Sequence, residues 1–201
     1  MKDSALILVE YQNEWLSPDG KLQFLLKDKG RFVSSIESSK IALAAARQFG
    51  LKIAHMGLHF YPDHRELGGV TATSHGLRGA IPRAGTFRTS EAGHIHPEPF
   101  APLADEFSGA GRTGASVFAN TNLDIYLRNN GIKTVYLMGY ALHVCVLASL
   151  CQGHDLGYEM KLLEECTAAF DEAQRNFVLT EVVHHFGERI SNAKFLGSLS
   201  R

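Results

Sequence analysis

The sequence predicts an α/β fold of three layers, α-β-α, in which helices cover both faces of a mostly parallel sheet. Two observations predict it. Apolar runs of strand length alternate with longer amphipathic segments, which is the pattern of right-handed crossovers between parallel strands. The first run, residues 5–9, is apolar at every position, as expected of a strand that is buried on both faces. With 201 residues, 45% of them hydrophobic, the chain suits a single domain that spans residues 1–201.

One long helix separates the first two predicted strands. Residues 33–48 carry apolar side chains at helical spacing, and Gly50 follows where such a helix would end. The second strand, residues 51–58, begins directly after that glycine. A strand, a helix and a second strand in this order predict one crossover unit of a parallel sheet.

The second half of the chain repeats this alternation. Thr121 and Asp124 have the spacing of a helix start, and Gly131 has the position of a helix end. Asp171, with Gln174 three residues later, predicts the start of a last long helix that runs to Gly187. The remaining elements are predicted as a strand at 133–138, a helix from about 143 to 155, a strand at 158–163 and a closing strand near 190–195.

The segment from about residue 60 to residue 115 lacks this periodicity. It holds five of the six prolines and four histidines, with many glycines. A compact domain rarely carries so long an irregular segment without a functional reason. We therefore predict that it forms a lid or a contact between subunits of a homo-oligomer.

Composition excludes several classes of partner. Twenty basic and twenty-one acidic side chains give a formal net charge of −1, and no run of Lys or Arg predicts nucleic acid or an anionic membrane surface as a partner. No apolar run approaches the roughly 20 residues that a membrane span needs. The three cysteines are an odd number without close pairing, which favours a reducing compartment over a disulfide framework. These observations predict a cytoplasmic protein.

Cys145 is the best candidate nucleophile. It follows the strand at 133–138, close to the start of the next helix, and active sites of parallel sheets gather beyond the carboxyl ends of the strands. The free amides at a helix start favour the reactive thiolate, and they can also hold an oxyanion. We therefore expect an ionised thiol. The alternative is that Cys145 is a small apolar residue of the core, a common place for cysteine.

Three segments carry a family resemblance. They are residues 8–15 (LVEYQNEW), residues 112–123 (RTGASVFANTNL) and residues 139–146 (GYALHVCV). In this order and spacing they resemble the isochorismatase-like cysteine hydrolase superfamily, which includes nicotinamidases, N-carbamoylsarcosine amidases and isochorismatases. The third segment, the nucleophile turn, is the most specific of the three.

The resemblance implies a six-stranded, Rossmann-like parallel sheet and a catalytic Asp-Lys-Cys triad. By position, Cys145 is the nucleophile, Glu10 stands in place of the aspartate, and Arg112 stands in place of the lysine. It also implies a cis peptide between Tyr140 and Ala141. Glutamate keeps the carboxylate of the family, but a guanidinium stays protonated and cannot relay a proton.

The predicted function is hydrolysis of a small amide-like carbon–nitrogen bond through a thioester on Cys145. Glu10 is the expected base, and the amides of Ala141 and Cys145 are the expected oxyanion donors. Trp15 and Tyr140 are expected to wall an apolar pocket, although either could be core. Two alternatives stay open. One is vinyl-ether hydrolysis of the isochorismatase type, which does not use the cysteine, and the other is a catalytically impaired ligand-binding or scaffold protein.

No cofactor or metal is predicted. His59 and His64 resemble part of the metal-binding segment of nicotinamidases, but Gly57 stands where that segment has its aspartate. His94 and His96 could add ligands, although alternating histidines on a loop are common without a metal.

Overall fold

Six parallel strands form one sheet in the computed structural model, which describes residues 2–69 and 74–200. The strands are β1 (Ser4–Val9), β2 (Lys52–Met56), β3 (Phe107–Ser108), β4 (Thr134–Gly139), β5 (Glu159–Thr167) and β6 (Glu188–Ile190). Their order across the sheet is β3-β2-β1-β4-β5-β6, and every pairing is parallel. The predicted fold class is confirmed.

The helices lie between and after the strands. The α-helices of the described residues are α1 (Asn13–Leu16), α2 (Lys29–Gln48), α3 (Leu77–Ala84), α4 (Leu123–Asn129), α5 (Leu147–Asp155), α6 (Glu172–Phe177), α7 (Val183–Phe186) and α8 (Asn192–Leu199). Two π-helical turns, Leu142–Val146 and Val178–Val182, lead into α5 and α7. None of these helices combines the length and the apolar composition that a bilayer span requires.

The core has two parts because strand side chains alternate between the faces of the sheet. On β1, Leu6 and Leu8 belong to one apolar cluster, whereas Ile7 and Val9 belong to the other. The first cluster includes side chains of α2 and α8, and the second includes side chains of α4 and α5. A fully apolar β1 is therefore buried on both sides, as its sequence predicts.

Only some of the helices begin at the capping residues that the sequence predicts. The Asp171 side chain accepts a hydrogen bond from the amide of Gln174 and starts α6, as predicted. The first long helix begins four residues before the predicted residue 33, because Asp28 caps it through the amide of Arg31. The helix predicted from Thr121 begins at Leu123 instead.

The predicted closing strand near 190–195 is wrong beyond Ile190. Residues 188–190 pair with β5, but the Ser191 side chain then accepts a hydrogen bond from the amide of Lys194 and starts α8. Phe195 and Leu199, four residues apart on one helix face, are buried in the first cluster. A side-chain cap and an apolar helix face therefore outweigh strand pairing here.

The segment at residues 60–115 has structure of its own. It contains α3, short 3₁₀ turns at Arg65–Leu67 and Ala92–His94, and the edge strand β3. Its role as a lid or as a subunit contact stays a prediction, and so does a homo-oligomer.

Gly139 gives a test of how tightly the sheet packs where β4 ends. Its φ is +128°, and a Cβ there would lie 2.1 Å from the carbonyl oxygen of Val9 in β1. We expect Gly139→Ala to lower the free energy of unfolding by about 2–5 kcal/mol, from positive-φ strain plus steric overlap. Urea unfolding measures this change.

Gly50→Ala is the matched control for Gly139→Ala. Gly50 also has a positive φ, +64°, but a Cβ there would have no neighbour within 4 Å. Its expected loss is about 1–2 kcal/mol, from backbone strain alone. Equal losses in the two variants would contradict the steric argument.

Candidate active site

A cavity of about 430 Å³ opens where β1 and β4 end. Glu10 directly follows β1, and Cys145 follows β4 on the π-helical turn, so adjacent strands bring both side chains to one edge of the sheet. Both residues line this cavity. Two residues that are 135 positions apart in the sequence therefore share one space.

Glu10 is held in one orientation by two donors. The residue is only 2% exposed and has a φ of 56°. The Trp15 indole nitrogen donates to Oε2 over 3.0 Å, and Nη2 of Arg112 donates to Oε1 over 2.6 Å. Because each carboxylate oxygen accepts its own hydrogen bond, rotation of this side chain would break two bonds.

Arg112 is clamped as firmly as its partner. It is 3% exposed, and Nη1 donates to the carbonyl oxygen of Met56 over 2.8 Å. Nη2 also donates to the carbonyl oxygen of Ala115 over 2.6 Å. These bonds need the planar fork of a guanidinium, which presents several donors in fixed directions. The site is therefore built around arginine.

The backbone around Cys145 forms a tight turn. The amides of Val144 and Val146 both donate to the carbonyl oxygen of Ala141. The carbonyl oxygen of Cys145 accepts a hydrogen bond from the Ser149 hydroxyl over 2.6 Å. The peptide between Tyr140 and Ala141 is cis, as the family resemblance implied. These contacts fix the turn on which the sulfur is carried.

The pKa of Cys145 corrects one sequence expectation. Burial raises the pKa of this thiol well above its ordinary value, and the charge and hydrogen bond of Glu10 raise it further. Arg112 opposes them, by its charge and by a hydrogen bond, without reversing the direction. Since Glu10 and Arg112 already balance each other, loss of the thiol proton to solvent would leave a net negative charge in a buried site. The resting sulfur is thus a neutral thiol, not the expected thiolate.

The other predicted pocket residues separate into two groups. Trp15 and Ala141 line the cavity. Tyr140 does not: it is 1% exposed, packs against the rings of Tyr11 and Phe32, and shares a hydrogen bond with the Ser35 hydroxyl. The assignment of Tyr140 to the pocket wall is corrected, because its side chain points to the opposite, core side of the turn.

Several wall residues were not predicted from the sequence. Phe170 lines the cavity from the loop after β5. Helix α3 contributes Leu77, Ala80, Ile81 and Ala84. Their spacing of three, four and seven residues is that of one helix face, and this signal was present in the sequence.

Glu14 is a second buried carboxylate near the site. It is 1% exposed, and its two oxygens accept hydrogen bonds from the amides of Phe87 and Lys21, at 3.0 and 2.9 Å. It ties α1 to the loop after α3 and so helps to place the cavity wall.

Four histidine rings form a cluster beside the site. Ring centroids are 5.9 Å apart for His55 and His96, 5.5 Å for His59 and His94, and 5.9 Å for His59 and His96. Burial lowers the pKa of His59 to about 4 and that of His96 to about 3. His64 lies apart, with Nε2 2.8 Å from the carbonyl oxygen of Thr86. Within residues 2–69 and 74–200, no three or more His, Cys, Asp or Glu side chains are placed to hold a metal ion together.

His143 does not reach the sulfur as a base. Its ring packs edge-on against Phe170, with 4.4 Å between the centroids, and it is not among the residues that line the cavity. This placement agrees with the expectation that residues two apart do not share a helix face.

Comparisons with known proteins agree with this geometry. The model of the isochorismatase domain family matches residues 4–194. Among curated proteins, the ureidoacrylate amidohydrolase RutB of Cronobacter sakazakii is 30% identical over 178 residues, covering 83% of this chain and 75% of its own length. RutB of Rhizobium rhizogenes is 26% identical, with 82% of this chain and 70% of its own length covered.

Solved structures share the fold. A cysteine hydrolase from Pseudomonas syringae pv. phaseolicola superimposes with a TM-score of 0.84 at 21% identity, covering 99% of this chain and 93% of its own. N-carbamoylsarcosine amidase from Thermoplasma acidophilum superimposes with a TM-score of 0.73 at 21% identity, covering 94% of this chain and 96% of its own.

A neutral resting thiol predicts how the alkylation rate of Cys145 depends on pH. Alkylation by iodoacetamide should rise with pH and show no plateau below about pH 8.5, because thiolate is scarce until the raised pKa is approached. Peptide mapping by mass spectrometry separates Cys145 from Cys151 and Cys166.

Glu10→Gln is the matched variant for this measurement. Removing the carboxylate removes two influences that raise the pKa of Cys145 and leaves the opposing Arg112 charge in place. The pKa of Cys145 should therefore fall in the variant, and alkylation at pH 7 should become faster than in the unaltered protein. A plateau near neutral pH in the unaltered protein, or slower alkylation of the variant, would show that the direction is wrong.

Proposed function

This chain belongs to the isochorismatase family, and from that premise we propose that it is a cysteine amidohydrolase. It cleaves the carbon–nitrogen bond of a small amide-like substrate through a thioester on Cys145. The observation that carries the proposal is the buried pair of Glu10 and Arg112 beside the sulfur, in a cavity that both Glu10 and Cys145 line. The names of the curated relatives, ureidoacrylate amidohydrolases, support the same class of bond.

The first step is proton transfer inside the site. Glu10 takes the thiol proton while the sulfur of Cys145 attacks the substrate carbonyl carbon. Before transfer the site holds a carboxylate, a guanidinium and a neutral thiol. After transfer it would hold a carboxylic acid, a guanidinium and a thiolate. The net charge is zero in both states, so this transfer avoids the buried charge that ionisation to solvent would create.

The oxyanion of the tetrahedral intermediate needs donors near the sulfur. We assign this role to the backbone amides of Ala141 and Cys145, since both residues line the cavity on the turn that carries the thiol. The tightness of the turn supports the assignment, because preorganised amides need no rearrangement when the charge appears.

The remaining steps release the amine, hydrolyse the thioester and return the proton to the site. Protonated Glu10 donates to the leaving nitrogen, the carbon–nitrogen bond breaks, and an amine and a thioester on Cys145 are formed. Glu10, again a carboxylate, then takes a proton from water, whose oxygen attacks the thioester. The carbon–sulfur bond then breaks and Glu10 returns the proton to the sulfur, so the products are a carboxylic acid and the free thiol.

Arg112 acts by charge and position in this scheme. A guanidinium keeps its proton at any working pH, so it does not carry one between groups. Its bond to Glu10 orients the carboxylate, and its positive charge stabilises the thiolate that forms during attack. This role needs no lysine.

Removal of the sulfur tests the proposal. Cys145→Ala should lower kcat/KM for a small amide by at least about 10³-fold, because no thioester can form. The measurement is product release from a panel of small primary amides and ureido acids. If Cys145→Ala keeps its turnover, the reaction does not need the cysteine, and an acid-catalysed mechanism is favoured. Hydrolysis of a vinyl ether by the variant would support that alternative most directly. Inactivity of the unaltered protein on the whole panel would contradict amide hydrolysis.

Arg112→Lys tests whether the arginine supports or reduces catalysis. Lysine has one ammonium group and cannot reproduce the bonds to Glu10, Met56 and Ala115 together. We expect kcat to fall by about 10–100-fold, since small misplacements of catalytic groups have such effects. Arg78→Lys, on the exposed surface of α3, is the control and should leave kcat unchanged. Higher activity in Arg112→Lys would show that the arginine is an impairment.

A further inference from the structure

The cavity beside Cys145 is apolar almost throughout. Thirteen of the seventeen residues that line it are apolar, and the polar members are Glu10, Arg83, Thr86 and Cys145. Apolar walls bind the hydrocarbon part of a ligand, while a few polar groups fix its orientation. Glu10 and Cys145 already have roles at the reacting bond, so the rest of the cavity faces the part of the substrate that does not react.

The cavity offers almost no charge to an anionic substrate. Of the described residues that line it, Arg83 is the only cation. Arg83 is exposed near the end of α3, where its Nη1 reaches the carbonyl oxygen of Ser74 at 3.4 Å. Arg112 is already bound to Glu10 and to two carbonyl oxygens. A substrate carboxylate could therefore pair with Arg83 only at the exposed end of the cavity, and beside the apolar walls it would be buried without a partner, which is strongly unfavourable.

The walls come from several separate parts of the chain. Helix α3 presents its apolar face, with Leu77 and Ile81 one turn apart. The segment after α1 adds Leu22, Phe24 and Leu25, and Phe24 is 78% exposed. Since an exposed phenyl ring continues the apolar lining to the surface, this side of the entrance is also apolar. Trp15 forms the wall close to Glu10.

The size of the cavity sets an upper limit on its occupant. A cavity of about 150 Å³ lined by apolar side chains is large enough to bind benzene. The cavity here, about 430 Å³, is nearly three times as large. It therefore has room for an aromatic ring together with the scissile amide.

We propose that the substrate is an uncharged amide whose non-reacting part is a hydrocarbon group of about the size of an aromatic ring. This inference rests on the proposed amide hydrolysis at Cys145 and specifies its substrate class. The apolar walls, the apolar entrance and the scarcity of cations each favour such a group over a small acidic substrate. Helix α3 is the principal specificity element.

The test measures binding separately from turnover. Cys145→Ala is titrated with 2-phenylacetamide, N-benzylacetamide, acetamide and succinamate. Trp15 is the single tryptophan of the chain and lies in the cavity wall, so its fluorescence reports occupancy directly. We expect at least one of the two aromatic amides to bind about tenfold or more tightly than acetamide, because one buried methylene alone gives about tenfold discrimination or more. Succinamate should bind more weakly than that aromatic amide.

A variant pair locates the effect on α3. Leu77→Ala, made in the Cys145→Ala background, should weaken binding of the better aromatic amide by about tenfold and that of acetamide by less than about twofold. Arg78→Ala, the neighbouring residue, is exposed and does not line the cavity, so it should change neither.

The outcomes separate the two proposals. Aromatic amides that bind no better than acetamide, or less well than succinamate, overturn the inference about the substrate class. Failure of the unaltered protein to hydrolyse any of the four amides, while the aromatic amides bind, overturns the proposed hydrolysis instead. Preferential binding followed by hydrolysis of the aromatic amides supports both.

Discussion

The buried ion pair of Glu10 and Arg112 is the constraint on which the site depends. It joins the end of β1 to the loop before α4, and Arg112 extends the link to β2 through the carbonyl oxygen of Met56. A buried pair is tolerable only when the remaining donors and acceptors are also bonded. The Trp15 indole and the carbonyl oxygen of Ala115 supply part of this bonding, while Nε of Arg112 is buried and has no hydrogen-bond partner among the described residues. One pair thereby fixes the geometry of three chain segments and keeps the site neutral.

The zero net charge of the Glu10–Arg112 pair influences the protonation of the Cys145 thiol. A cysteine at a helix start alone would ionise readily, but burial and the adjacent carboxylate act in the opposite direction and prevail. In the proposed mechanism the proton of Cys145 stays in the site until a substrate arrives, and Glu10 receives it. The same low polarity that holds the proton also forms the apolar cavity around the sulfur. Proton retention and the proposed preference for apolar amides would thus share one physical cause.

The sequence predicted what depends on local pattern. Alternating apolar runs indicated the parallel sheet, and the strand ends indicated that Glu10 and Cys145 would meet. It did not predict features that arise from packing between distant segments. The direction of the thiol pKa depends on burial, and Tyr140 turned out to belong to the core. Helix α3 was missed because its short apolar stripe lies among glycines and prolines, and α8 was missed because a cap at Ser191 ends strand pairing.

Detection of a covalent intermediate on Cys145 would be the most direct evidence for the proposed mechanism. The measurement is acid-quenched mass spectrometry of the protein during turnover of an amide, with sampling from milliseconds to minutes and peptide mapping of all three cysteines. The proposed mechanism predicts a mass increase on Cys145 equal to the substrate acyl group minus one hydrogen, with none on Cys151 or Cys166. Steady hydrolysis with Cys145 unmodified at every time point would contradict it.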